Sequence, residues 1–492
     1  MTTLCLDAGT TLIKAVVFDE QGNELVVTKR PTVVSSPRPG HAEQDMTEVM
    51  AALVAAAAEA VSRSPQPIDL ISITAQGDGA WMVDRAGDPV GPAMLWNDAR
   101  AVEVIRRWQD EGVLDAAFAV NGSLSNLGLP HAIMSSLLTA DPQAMDRVAH
   151  VLTCGSWVFL NLTGLVGLHI SEASAPWLDI AHDTYSAQLL DLYGLTAQGG
   201  LIPPVLTSTE VVQPLLPAIA DRIGCAAGIP VVLAPYDVVA TAAGGGSVAP
   251  GAAFCILGTT LCTGVLMAAP DTTGVPSGLT LRVAAGGPVI RAFPTLAGTG
   301  VVDWLAGMTG AADAAAVTAL AASSVPGAHG IRVWPYLSPA GERAPFLDAD
   351  ARGMITGLSF SHTPADLARA TVEGLAHVVR DCLSAIPARP SDIAISGGGS
   401  ASDIWCAAIA DVTGTATVRT ADSQIGAKGA MIHAVVATGE YGSVADAARV
   451  LVRHGRRFEP DPELGAFYDG RHADFLESRE LIAPRWPVWT GS

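Results

Sequence analysis

A strand–turn–strand unit occurs twice in the chain and limits the folds that the chain can adopt. Residues 4–7 and 13–19 are short apolar runs, and the turn between them contains the sequence Gly-Thr-Thr. Residues 254–257 and 261–267 repeat this order around a second Gly-Thr-Thr turn, close to the midpoint of the chain. Because the runs are short and their turns contain glycine, the pattern predicts β-hairpins rather than helices. A third run at residues 24–28 extends the first hairpin to an antiparallel meander.

The length of the chain predicts two domains. It has 492 residues, which is more than one hydrophobic core usually organises. A glycine-rich stretch at residues 244–246, followed by Pro250 and Gly251, precedes the second hairpin and is typical of a hinge or a domain boundary. We therefore predict an N-terminal domain of residues 1–245 and a C-terminal domain of residues 246–492. Strand patterns alternate with amphipathic helices elsewhere, which predicts α/β layers in which helices cover the sheets.

The charge and hydropathy of the chain exclude several classes of partner. It has 48 acidic and 28 basic residues, a net charge of −20. Since no basic cluster reverses this sign locally, neither nucleic acid nor an anionic membrane is an expected partner. The alanine-rich run at residues 50–58 indicates a packed helix that is too short to span a bilayer. The N-terminus lacks the basic segment of a signal peptide, which favours a cytoplasmic location.

The seven cysteines and eleven histidines form no recognisable metal-binding pattern. Neither a CxxC nor an HExxH spacing occurs in the sequence. Several cysteines lie inside apolar strand patterns, so reduced and buried thiols are expected. No dedicated metal site is predicted.

The first Gly-Thr-Thr turn follows a carboxylate at a strand end, Asp7, with one residue between them. Main-chain N–H groups and hydroxyls in such a turn surround a small anion, and the carboxylate acts on phosphate-bound Mg²⁺ directly or through water. A single copy would indicate an ordinary β-turn, whereas two copies favour the binding of nucleotide phosphates. Neither the GxxxxGK[ST] loop nor the signatures of protein kinases occur in the chain. The phosphate candidates are Gly9, Thr10, Thr11, Gly258, Thr259 and Thr260.

A third glycine cluster stands between a strand pattern and a helix pattern. It runs from Gly397 to Gly399 and is followed by Ser402. Glycines let a flat adenine or a ribose approach the backbone closely. The alternative is a flexible strand-to-helix connection, and the residues alone leave both interpretations open.

Polar side chains and one indole occur after two further segments. Gln76 and Asp78 follow a strand pattern, and Trp96, Asp98 and Arg100 follow a stretch rich in proline and glycine. An amide, a carboxylate and an indole suit a polyhydroxylated ligand, because the polar groups bond to hydroxyls and the indole covers C–H faces. For Asp98 and Arg100 the first interpretation is structural, since at this spacing they can simply brace their loop.

Asp237 lies where an apolar strand pattern ends and a helix pattern begins. Such junctions favour aspartate as the helix N-cap, and the residues alone indicate that role. A carboxylate at this point can also accept the proton of a reacting hydroxyl. The two roles do not exclude each other.

Together these segments resemble the FGGY family of carbohydrate kinases, and the similarity covers nearly the whole chain. Residues 7–14 look like the family's first phosphate loop, and residues 258–259 look like its second. Residues 397–399 look like its adenosine loop, and Gly298 or Gly300 corresponds to a further glycine on the nucleotide side. Residues 353–358 and 366–373 fit the family's C-terminal signature, whose apolar positions are mostly structural.

The resemblance implies the two-domain actin-like, ribonuclease H-like ATPase fold, with ATP and sugar in the cleft between the domains. It implies ATP-dependent phosphorylation of a small sugar or sugar alcohol, with Asp237 as the base and Asp7 acting on Mg²⁺. Domain closure would exclude water, and Lys14 would neutralise charge on the transferring phosphoryl group. The implied ATP-binding residues are Gly9, Thr10, Thr11, Lys14, Gly258, Thr259, Thr260, Gly298, Gly300, Gly398, Gly399 and Ser402. The substrate-binding candidates are Gln76, Asp78, Trp96, Asp98, Arg100 and Asp237.

The sequence departs from the family pattern in two places. Residues 122–131, which correspond to the N-terminal signature, lack its Lys and Trp. Residues 76–79 read Gln-Gly-Asp-Gly where xylulose kinases usually have a Gly-Gln-His run. The carboxylate argues against a standard D-xylulose pocket, and the segment looks more like the L-xylulose kinase and erythritol kinase branches.

Two other functions fit part of the pattern. An actin-fold ATPase acting on a partner protein needs the phosphate loops but no polyhydroxyl pocket, so Asp78 and Trp96 count against it. A catalytically silent sugar-binding regulator needs no catalytic residues, so the retention of Asp7, both Gly-Thr-Thr turns and Asp237 counts against it. Monomer and homodimer are both compatible with the sequence.

Overall fold

The computed structural model describes residues 1–387 and 389–490 of the chain. Its strands are β1 Thr3–Ala8, β2 Leu12–Phe18, β3 Glu24–Pro31, β4 Glu43–Gln44, β5 Leu70–Ala75, β6 Trp81–Val83, β7 Ala93–Met94, β8 His150–Leu152, β9 Leu178–Asp179, β10 Thr184–Tyr185, β11 Val212–Pro214, β12 Pro230–Leu233, β13 Ala253–Leu257, β14 Leu261–Met267, β15 Leu279–Arg282, β16 Val289–Pro294, β17 Arg332–Trp334, β18 Met354–Thr356, β19 Asp392–Ser396, β20 Ala416–Thr420 and β21 His454–Phe458.

The helices alternate with these strands, as the sequence predicts for an α/β protein. The α-helices are α1 Met46–Arg63, α2 Val102–Asp110, α3 Val113–Asn121, α4 Pro130–Ala140, α5 Cys154–Thr163, α6 Ile170–Trp177, α7 Ala187–Leu192, α8 Pro217–Ile223, α9 Asp237–Gly244, α10 Thr299–Thr309, α11 Ala314–Ala321, α12 Pro364–Ser384, α13 Asp403–Thr413, α14 Ile425–Ala437, α15 Val444–Leu451, α16 Gly465–Ile482 and α17 Trp486–Thr490. Short 3₁₀ helices are Thr196–Leu201, Ala328–Gly330, Gly398–Ala401 and Ala483–Arg485.

The chain divides into two compact units, and each is built from three segments. The first unit comprises residues 1–248, 267–290 and 422–452. The second unit comprises residues 249–266, 291–421 and 453–492. The predicted domain boundary between residues 245 and 246 stays a prediction.

A six-stranded mixed sheet organises the first unit. Its strand order is β11-β12-β5-β1-β2-β3. The meander β1-β2-β3 is antiparallel, as the sequence predicts, whereas β1, β5 and β12 are parallel neighbours. Every residue of β1 and β5 is buried. Strands that are buried along their whole length require helices on both faces of the sheet.

Two helices supply much of that cover. In α1, which contains the alanine-rich run, Asp45 caps the N-terminus by accepting hydrogen bonds from the N–H groups of Thr47 and Glu48. In α14, the side chains of Met431 and Ile432 lie in one apolar cluster with those of the sheet. The predicted helix at residues 50–58 is therefore confirmed.

Glycines bring helices α9 and α14 into backbone contact. A Cβ atom on Gly429 would lie 1.6 Å from the carbonyl oxygen of Ala240, and one on Gly244 would lie 2.0 Å from that of Ile425. No side chain fits at either position. Gly244, which the sequence suggests as part of a hinge, is thus also a packing glycine at the end of α9.

The second unit repeats the plan of the first. Six strands of its sheet run in the order β16-β14-β13-β19-β20-β21. Strand β13 is antiparallel to β14 and parallel to β19, β19 is parallel to β20, and β21 is antiparallel to β20. This matches the order β3-β2-β1-β5-β12-β11 of the first unit. The two Gly-Thr-Thr hairpins therefore occupy equivalent places in two similar sheets, which confirms the repeat seen in the sequence.

The residues of the C-terminal signature form helix α12 and its contacts. Thr363 and Asp366 form a capping box at its start. Further along, the carboxylate of Glu373 accepts hydrogen bonds from Arg369, Tyr468 and the N–H group of Gly327. These contacts are internal to the second unit and agree with the structural interpretation of the signature.

None of the helices in residues 1–387 and 389–490 combines the length and the apolar character that a membrane-spanning segment needs. Six of the seven cysteines are buried, and Cys225 is partly exposed.

Candidate active site

Three neighbouring strands of the first sheet end at the same edge and deliver most of the predicted site residues. Strands β1, β5 and β12 are parallel, with Asp7 opposite Thr74 and Ile73 opposite Leu233. Because the carboxyl ends of adjacent parallel strands meet at one edge, the segments that follow them are brought together. These segments contain Gly9, Thr10 and Thr11 after β1, Gln76 and Asp78 after β5, and Asp237 after β12.

Asp7 is the last polar residue of β1 and is largely buried. Its Oδ2 atom lies 3.1 Å from the ammonium nitrogen of Lys14, its partner across the hairpin. On another side it faces Gly426, where an added Cβ would be 3.5 Å from both Asp7 Oδ2 and Thr241 Oγ1. The missing side chain leaves room beside the carboxylate. Sequence reasoning did not identify Gly426 or Thr241, because neither stands in a pattern that indicates a site.

Asp237 is the first residue of helix α9, and Tyr236 occupies the N-cap position. The N-cap interpretation of Asp237 is therefore wrong by one residue. The pKa of Asp237 is raised to about 7, and the largest cause is the desolvation of its carboxyl group. The negative charges of Asp7 and Asp78 contribute to this rise, while the N–H group of Val238 and the Lys14 ammonium oppose it. Asp237 thus lies in the electrostatic field of the other two carboxylates.

The segment of residues 76–79 lies close against the start of α9. A Cβ atom on Gly77 would be 2.3 Å from the Tyr236 ring, and one on Gly79 would be 2.6 Å from the carbonyl oxygen of Met94. Asp78, between them, has a φ of 55°, in the left-handed region that aspartate tolerates better than most residues. The close packing on both sides holds this strained backbone in place.

Hydrogen bonds connect the predicted phosphate loop with two predicted substrate residues. Trp96 Nε1 donates to Thr10 Oγ1 over 2.9 Å, and Thr10 Oγ1 donates to Gln76 Oε1 over 2.7 Å. Thr10 therefore contacts the indole and the amide that the sequence assigns to substrate binding. Thr11, the next residue, is exposed.

Asp98 and Arg100 bond to each other and to strand β4. The side chain of Asp98, which is fully buried, accepts from the N–H group of Ala42 over 2.8 Å and from Arg100 Nε over 2.8 Å. Arg100 Nη2 lies 2.6 Å from the carboxylate of Glu43. These contacts are those of the bracing interpretation, and a direct role in substrate binding stays a prediction.

Residues 122–131 pack against the segments that contain the predicted substrate residues. A Cβ atom on Gly128 would lie 1.7 Å from the carbonyl oxygen of Trp96, and the Gly128 carbonyl accepts from the N–H group of Gly79 over 2.8 Å. His131 is fully buried among aromatic rings, and burial lowers its pKa to about 3. This histidine belongs to the core of the first unit.

In the second unit, the Gly258–Thr260 turn packs against the start of helix α10. The N–H groups of Thr299 and Gly300 donate to the carbonyl oxygens of Gly258 and Thr259 over 2.9 and 3.2 Å. A Cβ atom on Gly298 would lie 2.4 Å from the carbonyl oxygen of Thr259, whereas one on Gly300 would lie 3.5 Å away. Of the two candidate glycines, Gly298 is therefore the one whose position excludes a side chain.

The third glycine cluster follows β19, the parallel neighbour of β13. The loops after these two strands consequently share one edge of the second sheet. Gly397 has a φ of 84°, and a Cβ atom there would lie 2.7 Å from the carbonyl oxygen of Leu257. Gly398 is exposed, and an added Cβ would meet no atom of the described residues within 4 Å. The Ser402 hydroxyl caps helix α13 by accepting from the N–H group of Trp405.

Within residues 1–387 and 389–490, no group of three or more His, Cys, Asp and Glu side chains is arranged to hold a metal ion. Asp7 is a single carboxylate, and its neighbour Gly426 has no side chain. One hard oxygen ligand of this kind fits a Mg²⁺ ion that keeps waters and takes its other ligands from phosphates.

Comparison with known proteins gives matches over nearly the whole chain. Residues 2–244 match the N-terminal domain, and residues 253–438 the C-terminal domain, of the FGGY family of carbohydrate kinases. An erythritol kinase from Brucella abortus is 30% identical over 506 residues, covering 98% of this chain and 96% of that protein. An L-xylulose/3-keto-L-gulonate kinase from Escherichia coli is 28% identical over 512 residues, covering 98% of this chain and 96% of that protein.

A solved structure confirms the architecture. The ligand-bound xylulose kinase of Lactobacillus acidophilus superimposes with a TM-score of 0.93 at 19% identity, covering 99% of both chains. At this level of identity the similarity concerns the fold. The chain therefore has the two-domain actin-like fold that the sequence implies.

Proposed function

Because the chain belongs to the FGGY family of carbohydrate kinases, we propose that it phosphorylates a four- or five-carbon polyol or ketopentose, with Asp237 as the general base. Family membership establishes the coarser activity, ATP-dependent phosphorylation of a sugar or polyol. The proposal adds the substrate class and the residues. The observation that carries it is Asp237 at the strand edge shared with Asp7 and the first Gly-Thr-Thr turn.

The chemistry needs a base because an alcohol is a weak nucleophile at neutral pH. In the proposed reaction the substrate hydroxyl oxygen forms a bond to the γ-phosphorus while the bond from that phosphorus to the β–γ bridging oxygen breaks. The hydroxyl proton passes to a carboxylate oxygen of Asp237, and ADP leaves. A pKa of about 7 suits this role, since the carboxylate is available at neutral pH and still basic enough to accept the proton.

We assign nucleotide binding to the glycine-rich turns that follow β1, β13 and β19. Thr11 and the N–H groups of the first turn would hold phosphate oxygens, as would Thr259 and the second turn with Gly298. Gly398 and Gly399 would lie against the adenosine. Asp7 would hold Mg²⁺ directly or through water, and Mg²⁺ supplies neutralisation of the charge that develops on the phosphoryl oxygens.

The substrate class follows from the acceptor side and from the relatives. Asp78 offers a carboxylate to hydroxyls at the edge where Asp237 lies, the buried Gln76 amide lies at the same edge, and Trp96 offers an apolar face. An erythritol kinase and an L-xylulose/3-keto-L-gulonate kinase are among the relatives that match almost the full chain. We therefore favour tetritols, pentitols and L-ketopentoses as substrates.

The test is ADP release with MgATP and a panel of tetritols, pentitols, D- and L-ketopentoses and hexitols. We expect release that depends on a tetritol or a five-carbon substrate, with a phosphate monoester visible by ³¹P NMR. ADP release that needs no acceptor would favour the actin-fold ATPase. Calorimetric binding of a polyol without ADP release would favour the silent regulator.

A further inference from the structure

Four side chains and one main-chain carbonyl form a closed chain of hydrogen bonds around Thr10. Beyond the bonds from Trp96 to Thr10 and from Thr10 to Gln76, Gln76 Nε2 donates to Gln44 Oε1 over 2.8 Å. Gln44 Nε2 then donates to the carbonyl oxygen of Thr10 over 2.7 Å. This series of hydrogen bonds thus begins at the Trp96 indole, passes through the Thr10 hydroxyl and ends at the Thr10 carbonyl.

The chemistry of its two ends fixes the direction of every bond in this chain. An indole N–H can only donate and a carbonyl oxygen can only accept. The Thr10 hydroxyl, which accepts from Trp96, must therefore give its proton to Gln76, and both amides must be oriented to continue the sequence. Gln44 is 0% exposed and Gln76 is 3% exposed, so water does not readily replace these partners.

In this arrangement the hydroxyl and the carbonyl oxygen of Thr10 already have hydrogen-bond partners. Its hydroxyl proton is donated to Gln76, and its carbonyl oxygen accepts from both Gln44 and Thr32, the latter over 2.6 Å. A hydroxyl whose proton is already donated cannot also donate to a phosphate oxygen, which is an acceptor. Thr11 is an exposed residue, and its hydroxyl takes no part in these hydrogen bonds.

Gln44 is itself held by the braced loop. It lies on strand β4, where it pairs with Ala93 of β7, and its neighbour Glu43 forms the ion pair with Arg100. The Asp98 carboxylate accepts a hydrogen bond from the N–H group of Ala42, the residue before Glu43. The bracing by Asp98 and Arg100 thus fixes the strand from which Gln44 reaches Thr10 and Gln76.

From these contacts we infer that Thr10 and Gln44 are positioning residues for the acceptor substrate, and that the Thr10 hydroxyl does not bind ATP. They hold the Trp96 indole and the Gln76 amide in one orientation relative to the first phosphate turn. The inference rests on the proposed function, because it assumes that Trp96 and Gln76 face the sugar or polyol.

The experiment compares T10V with T11V, since valine keeps the shape of threonine and removes its hydroxyl. We expect T10V to lower kcat/KM for the acceptor by about 10- to 100-fold, the effect of a misplaced reacting group. The Kd of T10V for an ATP analogue, measured by calorimetry, should stay within about twofold of the wild-type value, a change of less than about 1 kcal/mol in binding free energy. T11V should weaken binding of the ATP analogue and leave kcat/KM for the acceptor nearly unchanged. T10S, which keeps the hydroxyl, should have wild-type kcat/KM for the acceptor.

A second readout does not depend on turnover. The indole ¹⁵N–¹H resonance of Trp96 is identified as the peak absent from W96F. It should shift in T10V and in Q44L, because both break the chain, and should stay in place in T11V. Melting temperatures of all variants establish that they are folded.

The outcomes separate the two proposals. Loss of nucleotide affinity in T10V equal to that in T11V, with unchanged acceptor KM, would overturn the positioning role. An indole resonance that is insensitive to T10V and Q44L would overturn it as well, whether or not an acceptor has been found. A folded wild-type enzyme that phosphorylates no member of the panel would instead contradict the proposed function.

Discussion

The carboxylate of Asp7 and the ammonium of Lys14 form an ion pair of 3.1 Å across the first hairpin of the chain. The two residues are direct cross-strand partners on β1 and β2, so the pairing register itself sets their approach. The Lys14 charge also lowers the pKa of Asp237, whereas Asp7 raises it. The hairpin therefore places one cation and one anion that act in opposite directions on the proposed base.

Replacing Asp237 with asparagine should remove the base while keeping the shape of the side chain. We expect kcat to fall by about 10²- to 10⁴-fold with little change in ATP affinity. In the wild type, kcat/KM for the acceptor should fall about tenfold per pH unit below the pKa of about 7, because only the carboxylate accepts the proton, and should level off above it. D237N should lose this acidic limb. Near-normal turnover in D237N would exclude a role as base.

Replacing Lys14 with methionine should move that acidic limb. Removing the cation leaves the Asp237 carboxylate less stabilised, so its pKa rises and the limb shifts to higher pH. Lys29 lies opposite Lys14 on β3 and is exposed, which makes K29M the matched control. We expect a shift in K14M and none in K29M, measured as kcat/KM between pH 5 and 9. The same shift in both variants would mean that the loss of any nearby positive charge, and not of Lys14 in particular, raises the pKa of Asp237.

The sequence predicted structural elements that depend on neighbouring residues, but it did not predict contacts between residues far apart in the chain. Both Gly-Thr-Thr hairpins and helix α1 form as expected, because each depends on neighbouring residues. Gln44 could not be found in this way: its strand has two residues, and its partner Gln76 lies 32 residues away. A two-residue strand has no periodicity to detect.

Glycines show the same limit. The sequence identifies Gly298 and Gly300 as equal candidates, and only their distances from Thr259 distinguish them. Gly244 stands in a stretch that looks like a hinge, yet its lack of a side chain is required by helix α14, which comes about 180 residues later in the chain. Close backbone approaches of this kind depend on the tertiary fold and leave no trace in local composition.

Alanine at position 298 should disturb the second Gly-Thr-Thr turn. Its Cβ would lie 2.4 Å from the carbonyl oxygen of Thr259, so the turn or the start of α10 must move. We expect the KM for ATP to rise by about tenfold or more, since small displacements of a binding group are costly. G300A is the control, because its Cβ would make an ordinary contact at 3.5 Å. Equal effects of both substitutions on the KM for ATP would argue against a specific role of the Gly298 position.

Alanine at position 429 should destabilise the first unit without touching a proposed ligand. The added Cβ would lie 1.6 Å from the carbonyl oxygen of Ala240, and because this neighbour is backbone, helices α9 and α14 must move apart. Overpacking of this kind costs about 1–3 kcal/mol in unfolding free energy, and a backbone clash belongs at the upper end. Urea unfolding followed by circular dichroism measures the effect.

The matched control for that experiment is G470A. Gly470 is also helical, but it is exposed, and an added Cβ would meet no atom of the described residues within 4 Å. Alanine there should leave stability unchanged or raise it by up to about 1 kcal/mol, because glycine is the poorer helix former. If G429A were as stable as G470A, helices α9 and α14 could not be in backbone contact at Gly429. A displaced α9 should also lower kcat in folded G429A, since Asp237 begins that helix.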